Sequence, residues 1–117
     1  MREFKSVQKW FAVKNYKVST QAGYSEYMAI FCGILGKTPD ELANVTSEEA
    51  LKIQQKLIDV MLNEFGLRTT TVTFRITALH VFWRVNGVEV TPAMMGYEGS
   101  SQMVRRIRKR VNFKLNP

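Results

Sequence analysis

Residues 66–87 read GLRTTTVTFRITALHVFWRVNG, framed by Gly66 and Gly87. Thr69, Thr70 or Thr71 can cap a helix, and the residues that follow are apolar at three- and four-residue steps. On a wheel of about 100° per residue, Val72, Ile76, Leu79 and Trp83 form one apolar stripe. Phe74, Ala78, Val81 and Val85 form a second, roughly opposite. A polar arc of Thr73, Thr77, His80 and Arg84 lies between them, while Arg75 and Asn86 lie across the helix. The spacing predicts a helix gripped on two sides and open along one strip. That strip holds hydroxyls, an imidazole and a guanidinium but no carboxylate. Such groups donate hydrogen bonds to phosphates and base edges. With no acid to balance them, a nucleic-acid face is preferred to an ordinary solvated stripe.

Working outward, the rest of the body also reads as helices. Glu3 to about Lys14 places Phe4, Val7, Trp10 and Phe11 near one face. After NYKVST, Ser19 or Thr20 is the expected cap of a second helix running to about Leu35, with Tyr24, Tyr27, Phe31 and Ile34 as its apolar face and Gly36 as its C-cap. Its small side, with Ala22, Ser25, Ala29, Cys32 and Gly33, is read first as a surface packed on another helix; close approach to a DNA backbone is the alternative. Thr38, Pro39 and Glu41 spell a capping box with proline in the first turn, opening a short turn. Thr46 and Glu49 spell another, opening a long helix with Ala50, Ile53, Leu57, Met61 and Phe65 along one face and a stop at Gly66. Val88–Thr91 alternates but has no strand partner. The fold class expected is all-α.

A length of 117 residues suggests one domain with a core that needs no covalent staple. Cys32 is the only cysteine, so no internal disulfide and no cysteine-based zinc site is expected. No stretch approaches the ~20 apolar residues of a membrane span, and a cytoplasmic setting is expected. Net charge is +7, and all ten acids lie before residue 100 together with eleven of the seventeen basic residues. The other six are Arg105, Arg106, Arg108, Lys109, Arg110 and Lys114, so a nearly neutral body precedes a cationic tail. A basic chain points to a polyanionic partner, most often nucleic acid.

The 66–87 stretch resembles the last core helix of the core-binding, SAM-like domain of tyrosine recombinases, the phage-type integrases. That family tends to show Gly-Leu, a Ser/Thr-rich cap, an apolar residue, a basic residue, Ile/Leu-Ser/Thr-Ala-Leu, a further basic residue and aromatics. Gly66-Leu67, Thr69 to Thr71, Val72, Arg75, Ile76-Thr77-Ala78-Leu79, His80, Phe82 and Trp83 fill those places, with His80 where a basic residue is usual. VSTQAGYSEYMAIF resembles the family's capped second helix, and GKTPDELANVTSEEALKIQQKL its loop and third helix. The likeness runs from about residue 5 to 92.

The resemblance implies a four-helix SAM-like bundle over residues 1–92, forming one jaw of a clamp on double-stranded DNA, with its second and fourth helices facing the major groove. Residues 93–117 then form a linker and a basic tail or helix leading toward a catalytic domain. The contacts expected to DNA are Ser19, Thr20, Arg68, Thr70, Thr73, Arg75, Thr77, His80 and Arg84, with Arg105, Arg106, Arg108, Lys109 and Arg110 from the tail. Other recombinase subunits on the same DNA are further candidate partners. No membrane, cofactor or metal is called for. The family's catalytic arginines, lysine, His-x-x-Arg pair and tyrosine have no counterparts here, because His80 is followed by Val81, Phe82 and Trp83, so no catalytic residue is carried over and the chain is not expected to be an enzyme. The ending Leu115-Asn116-Pro117 is read as that of a fragment or a truncated gene. In the tail, Met94, Met95 and Tyr97 are expected to pack back on the bundle and Ser100 or Ser101 to cap a basic amphipathic helix, a disordered tail being the alternative. The competing function is a small helical protein-interaction domain whose basic tail docks an acidic partner.

Overall fold

The computed structural model describes residues 1–90. Expectations for the linker, for Met94, Met95 and Tyr97, for the Ser100 or Ser101 cap and for Arg105, Arg106, Arg108, Lys109 and Arg110 lie outside the described residues. The fold is all-α: α1 (Lys5–Lys14), α2 (Val18–Leu35), a single-turn α3 (Pro39–Leu42), α4 (Ser47–Asp59) and α5 (Thr69–Val85). Among the described residues there is no strand, and no helix is long and apolar enough to cross a membrane.

Both capping boxes form as the sequence predicts. Thr38 accepts from the Glu41 N–H at 3.2 Å and Glu41 accepts from the Thr38 N–H at 2.9 Å. Thr46 and Glu49 repeat the reciprocal pair at 3.2 Å each way. The other two expected caps are not used. Lys17 is the N-cap of α2 and Arg68 that of α5, and neither side chain makes a capping bond. Ser19 and Thr20 instead lie in the first turn of α2, and Thr69 to Thr71 in the first turn of α5.

α4 does not run regularly to Phe65. It continues into a π-helical turn at Val60–Glu64, closed by the Phe65 N–H on the Val60 carbonyl at 3.0 Å. The wider turn shifts the helical phase. Ile58 and Leu62 join Leu57 and Met61 in the core, and Phe65, expected on that face, is 49% exposed. Gly66 then takes φ 65°, which a side chain would resist, and the chain turns into α5.

The core gathers on α5. Val72, Ile76, Leu79, Phe82 and Trp83 are fully buried, each worth about 1.5–3 kcal/mol of apolar burial, so the predicted first stripe is the inner face of this helix. Trp10 of α1 lies edge-on to Phe82 at 5.4 Å and stacks on Tyr24 of α2 at 5.2 Å. The Trp83 indole N–H donates to the Leu42 carbonyl at 3.0 Å, tying α5 to α3. Asp40 of α3 accepts from the Ser6 N–H at 3.0 Å and the Ser6 hydroxyl at 2.6 Å, and so caps α1 from across the chain. Those bonds hold the Asp40 carboxyl below the usual carboxylate range.

Asp40→Ala removes this long-range cap and is expected to cost about 1 kcal/mol at neutral pH. Urea unfolding checks it, and the deficit relative to the parent should shrink as pH falls through and below the ordinary carboxylate range, where the parent's lowered carboxyl in turn protonates.

Candidate nucleic-acid interface

With its inner face fixed, α5 has one open edge. Thr70, Phe74, Thr77 and Arg84 are exposed and Val81 is half-buried, and these five recur at steps of four, three, four and three along one side. This edge is rotated by roughly 50° from the predicted strip. Thr77 and Arg84 belong to both. Phe74 and Val81 replace Thr73 and His80. Phe74, expected in a second buried stripe, is 55% exposed, whereas Ala78 of that stripe is buried and Val85 half-buried.

The two displaced residues turn toward the bundle. Thr73 has a buried hydroxyl, so it is not available to a groove ligand. His80 is half-buried, and its Nε2–H donates to Oε1 of Gln54, a glutamine buried in α4. Burial, and then the neighbouring Arg84 charge, press the His80 pKa down to about 4. At neutral pH the imidazole carries no charge, and the expected cationic contact at this position is replaced by a neutral tie between α4 and α5. Arg75 lies with its guanidinium 4.9 Å from the Tyr27 ring centroid, bridging α5 to α2, with its Nε buried. Thr77 is exposed, but its hydroxyl donates to the Thr73 carbonyl at 2.8 Å, leaving a methyl and acceptor lone pairs to offer.

The cation on this edge is therefore Arg84; Arg68, two residues before Thr70 and so about 200° round the helix from it, lies off the line of the edge. Arg68 is exposed at the N-cap of α5 and Arg84 is exposed in its last turn, with the Thr70 side chain also exposed. No acid occurs between Gly66 and Gly87. Ser19 is exposed and Thr20 half-buried in the first turn of α2, which like that of α5 lacks a cap from its N-cap side chain. Helix starts of this kind attract anions through their free N–H groups and positive dipole end.

The small side of α2 is not packed on another helix as first expected. Ala22, Ala29 and Gly33 are exposed, and a Cβ built on Gly33 meets nothing within 4 Å. This face carries one charge, Glu26. Cys32 beside it is half-buried, and burial pushes its thiol up to about 11, which keeps it unreactive at neutral pH.

Set against known proteins, the chain matches no family model, no curated protein and no solved structure.

Three residues in this region escaped the sequence reading. Gln54 was overlooked because a glutamine on a helix is ordinarily solvent-facing. Phe74 and Val81 were assigned to the core for being apolar. The signal that could have corrected this is that two opposite apolar stripes cannot both be buried in a bundle with so few helices to cover them.

The His80–Gln54 tie predicts a pH dependence. Burial holds the folded-state pKa near 4, below the ordinary 6.5, so the unfolded chain takes up the proton first. Stability is full above pH 6.5 and falls as pH drops toward 4, by on the order of 2 kcal/mol given the partial exposure. In His80→Gln that part of the slope should be missing between pH 6.5 and 4.5, as thermal melts across this range would show.

Proposed function

We propose that this chain is a duplex-DNA-binding module of the kind found in tyrosine recombinases, with α5 laid in the major groove, α2 beside it, and no strand-exchange chemistry of its own. One observation carries the reading. The open edge of α5 is free of acids, carries Arg84 in its last turn, and spans a length suited to the groove. The fourteen residue steps from Thr70 to Arg84 amount to about 21 Å of helix, more than the roughly 12 Å width of the groove. The uncapped first turns of α2 and α5 support it as places for phosphate oxygens. The motifs quoted from 66–87 supply the family expectation.

A second reading is favoured by the outward face of α2. Val18, Ala22, Ala29 and Gly33 are exposed there with no cation, a surface closer to that of a protein partner than to that of a phosphate backbone. In that case the basic tail would dock an acidic protein and α5 would be a bystander.

The two readings separate in a DNA titration. The full chain should bind labelled duplex with a steep salt dependence, the slope corresponding to ~4 to 7 neutralised phosphates. After selection of a preferred site from random duplexes, Arg84→Ala should lower the preference for it by roughly 1–3 kcal/mol, the worth of a bidentate base contact. Deleting residues 101–117 should weaken binding to all duplexes alike and flatten the salt slope. Salt-independent binding, or an Arg84→Ala chain indistinguishable from the parent, would instead favour the protein-interaction reading.

A covalent adduct with DNA is not expected. The tyrosines of the described body, Tyr16, Tyr24 and Tyr27, form an aromatic group around Trp10, and only Arg75 sits over one of them. That is not the set of convergent cations a transferring phosphoryl group requires. A denaturing gel after incubation with cognate duplex should show no protein-linked DNA band.

A further inference from the structure

We propose that Phe74 recognises thymine, by covering the 5-methyl group that this base presents in the major groove. The inference rests on the duplex-DNA reading above and adds to it the identity of the base and the side chain that meets it.

Phe74 is 55% exposed, and of the large exposed apolar side chains among the described residues it is the one on α5. It is placed as a reading group would be. It lies ten residues, about 15 Å of helix, before Arg84 on the same edge. A helix that brings Arg84 to a base edge therefore carries the phenyl ring along the same groove floor. The next residues on the edge are Thr77, one turn on, and Val81, two turns on. Thr77 has its hydroxyl proton bonded back to Thr73, so the middle of the edge offers apolar surface more than donors. Of the four bases, thymine alone offers an apolar group in the major groove, and phenyl, Thr methyl and small aliphatic groups are its usual partners.

The ring is also held in place. Tyr27 meets it edge-on at 6.1 Å and Tyr24 lies tilted to it at 6.5 Å, both from α2. Tyr27 is pinned by the Arg75 guanidinium above its own face. A ring supported from one side and open on the other loses little freedom on binding, so its contact with a methyl group is not offset by ordering cost.

The test removes a single methyl from the DNA. In the duplex selected for the full chain, each thymine is replaced in turn by deoxyuridine, which keeps every hydrogen-bonding group. One position, or two adjacent ones, should weaken parent binding about fourfold, the worth of one buried methyl. Phe74→Ala should bind the thymine and uracil duplexes equally, and Phe74→Leu should retain part of the difference. Circular dichroism melts and the salt slope should be those of the parent, since the ring is largely outside the core. A parent chain that binds a preferred site yet is insensitive to every uracil overturns this inference alone. So does a Phe74→Ala chain that still discriminates. If the parent binds no duplex, the DNA reading falls and this inference with it. If Phe74→Ala changes the sedimentation coefficient rather than DNA binding, Phe74 belongs to a contact between copies and the inference is wrong.

Discussion

The rotation of α5 about its own axis is the constraint on which the rest of the structure depends. Trp83 fixes it, with a fully buried ring and an indole N–H spent on the Leu42 carbonyl. A buried donor with no acceptor costs about 1–3 kcal/mol, so α5 cannot turn without losing both packing and this bond. Asn86 at its C-cap adds a second anchor, donating to the Phe82 carbonyl at 2.9 Å and to the Ser6 carbonyl at 3.3 Å on α1. His80 on Gln54 and Arg75 on Tyr27 brace the helix against α4 and α2. Once these four directions are taken, only the Thr70, Phe74, Thr77, Val81 and Arg84 line is left to solvent.

Much of the fold was legible because its signals were local. Each capping box is written within four residues, and both formed with the named donors and acceptors. The inner stripe of α5 was legible because Val72, Ile76, Leu79 and Trp83 keep helical phase. What failed was non-local. Asp40 caps α1 from thirty-four residues away, a pairing no local spacing announces. The π turn after Asp59 has no signature in the three- and four-residue spacing, and it moved Phe65 out of a face that simple periodicity assigned to it. Ser19 and Thr20 looked like caps by residue type, yet α2 begins two or three residues earlier than such a cap would allow, at Val18 after Lys17.

The candidate site was legible only in part for the same reason. Thr77 and Arg84 were placed on the open edge from the wheel, and both are exposed. Thr73 and His80 sit on the margin of that arc, where a modest rotation decides between solvent and a neighbouring helix. Gln54 decided it, because a buried amide needs a hydrogen-bond partner and His80 is the group that meets it. The consequence is electrostatic. A position that resembles a basic site in the recombinase pattern is here a neutral imidazole, so the edge has fewer charges than its sequence suggests and more apolar surface.

That shortage of charge bears on how affinity and selectivity would be divided. Residues 1–90 hold eleven Lys and Arg against nine Asp and Glu, a balance of +2, and the remaining twenty-seven carry six against one, a balance of +5. Together these give the +7 of the chain. Counterion release scales with phosphates neutralised, so a body at +2 cannot by itself hold duplex tightly at physiological salt. An edge with one arginine and an apolar middle would be poor at attracting any polyanion and better suited to choosing among base edges already brought near. On the proposed reading residues 1–90 would do the selecting, and most of the net charge that would supply unselective affinity lies beyond residue 90. A more basic α5 would bind more strongly but would gain equally on every sequence, and the ratio between right and wrong sites would not improve.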